Sequence, residues 1–327
     1  PDSKGMSAGL FLIESATFKN IRLEGGLRID AGSRRPLQED PDSRIGDIRR
    51  RNFLTWAGAL TLSWSSESVG SARSSGVAAS AARSGTRGVW TSELTLIRTA
   101  RIPSMEELFS EGPHLASYSY EIGNPDLEAE TALTGEFTAG WALDRLAVDV
   151  TVFFSEFGQY LYPRNTGRRN FRYPSLFDYQ YTADQARLHG VEGRLALRPL
   201  PDWRLSADAS LAMADRRTES GTAPLPMIPP ASGNLSLEWL PGATTVAARM
   251  AWAARQDRLG EFETPTDGYV RFDLTLGTRF MRAGRLHTLG LSALNLTDTV
   301  YRHHLSRVKD LYPEAGRHVQ VLYRLYF

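Results

Sequence analysis

The chain has 327 residues, a formal net charge of +1, 42% apolar and 23% charged residues, and no cysteine. The balanced charge argues against a general nucleic-acid binder, and no apolar run is long enough for a membrane-spanning helix. Without cysteine there are no disulfide staples or thiolate metal sites, which is compatible with an oxidising compartment.

Residue 1 is Pro, no signal peptide is visible there, and the first strand begins almost at once. The chain therefore reads as a piece of something longer. Taken in order, its dominant period is two. Ile21, Leu23, Leu27 and Ile29 alternate with Arg22, Glu24, Arg28 and Asp30. Leu146, Val148, Val150, Val152 and Phe154 share one face, with Ala147, Asp149, Thr151 and Ser155 on the other. The same alternation runs through Val191–Arg198, Trp203–Leu211 and Arg271–Phe280. Each is a strand with one apolar and one polar face. About thirteen are predicted: 6–16, 20–31, 51–65, 89–100, 130–143, 145–159, 180–198, 203–215, 231–240, 244–257, 268–281, 286–297 and 318–327. Several exceed the ~9–11 residues that a bilayer crossing needs.

The connections alternate in length. Short turns fall at 17–19, 144, 199–202, 241–243 and 282–285. Long loops fall at 32–50, 101–129, 160–179, 216–230, 258–267 and 298–317. Short turns at one end and long loops at the other is the layout of an outer-membrane barrel. Residues 66–88, rich in Ser, Ala, Gly and Arg, break the alternation and read as a flexible insertion without chemistry. All seven Trp lie in proposed strands, several near an end, as interfacial girdles require. The last ten residues place Val319, Val321, Tyr323, Leu325 and Phe327 on one face and Gln320, Arg324 and Tyr326 on the other, with Leu322 the exception. A closing strand of this kind, ending on an aromatic, makes Tyr323, Leu325 and Phe327 the candidate assembly signal.

Several motifs carry a family resemblance. Arg101-Ile-Pro-Ser-Met-Glu-Glu-Leu-Phe-Ser-Glu-Gly-Pro-His114 is followed by Glu121-Ile-Gly-Asn-Pro-Asp-Leu-Glu-Ala-Glu130. Later come Asn295-Leu-Thr-Asp298, Tyr301-Arg-His-His-Leu-Ser306, Lys309-Asp310 and Gly316-Arg317. As a set these resemble the barrel of TonB-dependent outer-membrane receptors over nearly the whole chain. The resemblance implies an all-β, antiparallel transmembrane barrel of 22 strands, of which 1–327 would supply about the last thirteen, without the plug domain. It further implies a receptor in the bacterial outer membrane that captures a scarce ligand and passes it to the periplasm, and no enzyme. The implied partners are outer-membrane lipid, the barrel assembly machinery and the TonB energising complex, the last through an N-terminal region outside this sequence. No nucleic acid is expected. If the final strand runs inward, the long loops face the exterior.

The residues show no Walker loop, no HExxH and no nucleophile elbow. Two predicted outer loops hold the chemistry-bearing groups: Glu111, His114, Tyr118, Tyr120 and Glu121 in the first, and His303, His304, Lys309, Asp310 and Glu314 in the second. Imidazole and carboxylate are ligands for zinc, and imidazole and Tyr phenolate for haem iron. The wording around Gly112-Pro-His114 and Tyr301–Ser306 is similar to receptors for zinc. Arg101-Ile-Pro103 and Asn124-Pro-Asp-Leu127, with His114 between them, depart by Ile and by Asp from the boxes of haem receptors. The candidate metal ligands are His114, His303 and His304, helped by Glu111 or Glu121. No intrinsic cofactor is expected. Transported zinc, haem or an iron chelate is. Asn124-Pro125 and Asn295–Asp298 read as turn and strand-end formers. A passive porin-like channel and a soluble all-β binding protein are the rival readings.

Overall fold

The computed structural model describes residues 3–37, 43–67 and 88–327. Most of the 66–88 insertion lies outside the described residues. The wall begins with β1 (Ser3–Phe18), β2 (Ile21–Pro36), β3 (Arg51–Ser65) and β4 (Val89–Arg101). A short helix, α1 (Met105–Phe109), and two short strands, β5 (Glu111–His114) and β6 (Ser119–Ile122), follow. Then come β7 (Glu130–Leu143), β8 (Leu146–Arg169), β9 (Phe177–Leu197) and β10 (Trp203–Thr218), the short β11 (Gly221–Pro224), and β12 (Ser232–Trp239). The last four are β13 (Thr244–Ala253), β14 (Tyr269–Arg282), β15 (Arg285–Leu294) and β16 (His318–Tyr326).

Thirteen of these form one continuous path of sequential neighbours, from β1 through β4, β7 to β10 and β12 to β16. Every pairing along the path is antiparallel. They are the thirteen predicted strands. Among the described residues nothing pairs with the outer edges of β1 and β16.

Register keeps like faces together. Val150 sits opposite Ala139 and Gly193, whereas Thr151 sits opposite Thr138 and Glu192. The apolar face is exposed along the wall, with Leu60, Leu96, Val152, Phe154, Leu237 and Leu274 all open. The other face is tied by polar cross-strand bonds. Thr61 meets Thr95 at 3.1 Å, Ser63 donates to Glu93 at 2.8 Å, and Thr138 meets Thr151 at 2.9 Å. A wall with its grease outside and its hydrogen bonds inside is the inverse of a soluble sandwich, whose apolar faces meet each other. Trp90 and Trp141 lie opposite one another with ring centroids 5.8 Å apart, and Trp203 and Trp239 at 6.0 Å. These four, with Trp64, lie near the short-turn ends of their strands.

Both buried apolar clusters lie at the long-loop end. One joins Ile45, Phe53, Leu108, Phe109, Tyr120, Ile122, Leu127, Leu161 and Leu176; the other joins Tyr162, Ala186, Ala214, Leu225 and Ile228. The loops, not the wall, therefore carry the packed core.

Two expected loops are more ordered than their sequence implies. The 160–179 stretch is largely strand: β8 and β9 run on as a hairpin with register shifts at Phe157/Tyr160 and Asn165/Arg169. The second shift takes in Gly167, at φ +71°, while Pro163 stays in register opposite Tyr181. The 101–129 stretch holds α1 and the β5–β6 hairpin. β10 pairs β9 only from Ala186 onward, which leaves the start of β9 with a free edge. β6 fills it in parallel, Ser119 opposite Phe177 through Ile122 opposite Gln180.

Candidate functional site

The resemblance motifs of the first loop turn out to build its frame. Ser104 caps α1 and forms a reciprocal capping box with Glu107. Arg101 clamps the same Glu107 at 2.8 and 2.9 Å and reaches Glu130. Asn124 accepts from the Asp126 N–H at 3.0 Å, an Asx turn, and its own N–H donates to the Glu107 carbonyl at 2.8 Å. Gly123 lies against α1 so closely that a Cβ would fall 2.7 Å from the Leu108 carbonyl and the Phe109 nitrogen. Gly123→Ala should therefore cost about 1–3 kcal/mol by overpacking against backbone that cannot swing away. The check is the proteolytic lifetime of the 101–129 segment, which should shorten.

Near the chain's end, Asn295 is buried at φ +51° and its side chain holds the Thr299 and Ala315 carbonyls and the Thr299 N–H. Asp298 accepts the Arg317 N–H at 2.8 Å. These are the expected turn formers.

The five ligand candidates are divided among separate surroundings. His114 is exposed, its Nδ1 2.6 Å from Ser117 Oγ and 3.9 Å from Glu121 Oε1. Glu121 accepts from Ser117 and Ser119 at 3.2 Å each and from the Tyr181 hydroxyl at 3.0 Å. Glu111 turns elsewhere, accepting from Ser43 Oγ at 2.6 Å. His303 is exposed against Tyr269 and Tyr301, with Nδ1 3.1 Å from the Tyr269 hydroxyl.

His304 is buried. Lys309 Nζ, which has donors only, lies 3.3 Å from its Nδ1 and Thr266 Oγ1 lies at 2.9 Å, so this nitrogen accepts. Nε2 then carries the proton, 3.0 Å from Glu263 Oε1. Glu263 also receives the Met227 and Gly260 N–H groups at 2.8 and 2.9 Å. Burial works to raise its pKa, but the bonds from His304, Gly260 and Met227 outweigh burial and hold it below the ordinary carboxylate value. Burial in turn lowers Lys309.

The two candidate loops do meet, through Glu121 and Arg307 at 3.9 Å rather than through histidine. Among the described residues no group of three His, Asp or Glu side chains is placed to hold a metal ion.

What the loop end does assemble is a pocket of about 360 Å³. Tyr160, Tyr162 and Tyr179 line it with Arg164, Arg216 and Arg307. Arg164 and Arg216 share Glu261, at 2.7 and 3.4 Å. Arg307 stacks over Tyr179, 4.7 Å from the ring centroid, and its Nη1 is buried without a hydrogen-bond partner. Tyr162 donates to Asp184 at 2.6 Å. Burial pushes all three phenols up, reinforced at Tyr162 by Asp184, so they are neutral donors at pH 7 rather than phenolates. This set is not visible in the sequence, because its members come from four segments that only the fold brings together.

An antiparallel wall, apolar outside and polar inside, with short turns at one end and packed loops at the other, defines a β-barrel wall of the bacterial outer-membrane type. The chain belongs to the TonB-dependent receptor-like β-barrel family, whose model matches residues 1–296. That family comprises outer-membrane receptors and transporters, not enzymes. Its fold is similar to the copper transporter OprC, at TM-score 0.78 and 19% identity, covering 98% of this chain and 48% of that one. It is also similar to the FrpB iron transporter from Neisseria meningitidis (F3-3 variant), at TM-score 0.67 and 12% identity, covering 99% and 45%. A third is the unliganded ferric citrate transporter FecA, at TM-score 0.64 and 14% identity, covering 98% and 44%. The chain spans about half the length of these solved structures.

Proposed function

We propose that this chain is the loop-bearing wall of a receptor that captures a scarce metal in chelated form at its outer mouth and passes it to the periplasm. The observation that carries the reading is the loop-end pocket. Neutral phenols and guanidinium groups suit a planar or anionic chelate, through stacking and charge-assisted hydrogen bonds. A bare ion needs converging lone pairs, and the described residues offer no such cluster. The similarity in fold to a copper transporter and an iron transporter agrees with a metal cargo. Transport would draw on the TonB energising complex through a region outside this chain.

Haem is the second reading, favoured by His114. Its Nδ1 is held by Ser117 and its exposed ring leaves Nε2 to face a ligand. His114→Ala should then weaken haemin binding at least tenfold, while the exposed His303→Ala variant leaves it unchanged. Equal haemin affinity in His114→Ala and the parent would remove this reading. Zinc binding abolished by both variants would restore a histidine metal site in place of the chelate pocket.

Assembly supplies a further prediction. Val319, Val321 and Tyr323 are exposed on the outward face of β16, and Phe327 beyond it is 95% exposed beside Arg285. We assign Tyr323, Leu325 and Phe327 to recognition by the assembly machinery and contact with lipid. Deleting Phe327 should lower the folded receptor recovered from outer membranes without changing ligand affinity in what does fold. Unchanged recovery would leave Phe327 without that role.

A further inference from the structure

The outward face of the wall is apolar over most of its height, but over the first three strands its long-loop end changes character. On β2 the outward residues run Ile29, Ala31, Ser33 and Arg35, since alternate residues share a face. Arg34 points the other way and donates to the Pro103 carbonyl at 3.3 Å. At the start of β3, Arg51 reaches inward to the Leu127 carbonyl at 3.2 Å. Arg50, just before it, turns outward, with its Nε 3.0 Å from Ser33 Oγ and 3.2 Å from Asn52 Oδ1. Lys4 on β1 sits directly opposite Arg35. Lys4, Arg35 and Arg50, all exposed, thus form one outward row.

The row lies directly above apolar wall. Met6 and Leu10 on β1, Ile29 on β2 and Leu54 on β3 are open on the same face. Among the described residues none of the three cations has a carboxylate within salt-bridge distance. Asp47, close to Arg50 in sequence, is taken together with Asp126 by Arg49, at 3.3 and 2.6 Å. Outward arginines further along the wall are answered: Arg187 by Glu156 at 3.1 Å, and Arg98 by the Trp56 ring, 3.8 Å from its centroid. Like charges facing one another on neighbouring strands repel, so the row is most stable with an anion across it. Lys and Arg lay their stems along apolar surface and extend their charged heads beyond it. An anion held by those heads therefore sits at the height of a lipid headgroup.

We propose that Lys4, Arg35 and Arg50 form a docking site for the anionic, phosphate-bearing headgroup of a lipid in the outer leaflet, with its acyl chains on the apolar face below. The guanidinium groups match phosphate oxygens in pairs, and Lys4 adds a point charge. The site presupposes only that the wall stands in the outer membrane with its long loops outside, and it is independent of what the receptor transports. It selects lipid by charge. A net anionic phosphate headgroup fits, whereas a choline headgroup brings its own cation to the row.

The test is native mass spectrometry of the intact receptor in dodecyl maltoside, titrated with phosphatidic acid and, separately, with phosphatidylcholine of the same chain length. Variants are Lys4→Gln/Arg35→Gln/Arg50→Gln and, as a control on the same face, Arg98→Gln, each checked for folding by heat-modifiable mobility. The parent should bind phosphatidic acid about tenfold or more tighter than phosphatidylcholine, because each basic group beside an anionic headgroup contributes. The triple variant should bring that ratio down to about twofold or less, and Arg98→Gln should leave it as in the parent. If the triple variant fails to fold, Arg35→Gln alone should still lower the ratio by about half or more. Inorganic phosphate at millimolar concentration should not displace the lipid, because it lacks the chains. Equal affinity of the parent for the two lipids, a ratio unchanged in the triple variant or in Arg35→Gln, or an equal loss in Arg98→Gln would overturn the site. Displacement by inorganic phosphate would overturn its assignment to a lipid.

Discussion

Val150→Arg is expected to destabilise the folded barrel by ~2–4 kcal/mol, the cost of a guanidinium on the lipid side near mid-bilayer. Val150 is exposed on the apolar face, in line with Val152 and Phe154, with Ala139 and Gly193 beside it. None of these offers the charge a partner. Thr151→Arg, one residue on, should cost far less. That position faces the polar interior, 2.9 Å from Thr138 Oγ1 and opposite Glu192, which can answer a cation. Reversible folding into lipid vesicles, followed in urea, reads both. Equal costs at the two positions would mean that the apolar face does not meet lipid.

Glu263→Ala is expected to loosen the loop end by about 3–5 kcal/mol, because it strands buried partners. His304 and Lys309 would lose their carboxylate, and the Met227 and Gly260 N–H groups their acceptor. Hydrogen exchange should accelerate in 254–268 and 298–317 together, while the exchange of β7 and β8 stays slow. Acid should mimic the variant. The folded Glu263 carboxyl titrates below the ordinary glutamate value. Its contribution is therefore whole above that value and fades as pH falls toward the folded pKa. Uncoupled exchange in the two segments, or no acceleration in Glu263→Ala, would show that this cluster does not fasten them.

The wall was legible because a strand with one face in lipid and one in a polar interior repeats its chemistry every second residue. Leu146 to Ser155 states its own orientation without help from any neighbour. The four-residue strands β5, β6 and β11 contain too little sequence to show a period, and their pairing depends on edges that β9 and β10 leave open. The helix had a readable signal in Ser104 and Glu107, three apart, whose capping box escaped notice inside a stretch read as loop.

The candidate site was legible only in its location. The long loops hold the polar groups, as expected. Residue type alone drew the eye to histidine, yet burial gives His304 to Glu263, and the sheet gives Arg307 to Tyr179 and Glu121. Pairs such as Arg164 with Glu261, 97 positions apart, are visible only once the wall has curved their loops together.

Binding of ferric catecholate, ferric hydroxamate, ferric citrate and zinc to the intact receptor in outer-membrane vesicles tests the central claim most directly. The parent and Tyr179→Ala/Arg307→Gln would be compared at equal amounts of folded protein. At least one chelate should bind the parent and bind the variant tenfold or more weakly, with zinc bound by neither. Zinc binding in place of every chelate, or chelate affinity equal in the two proteins, would contradict it.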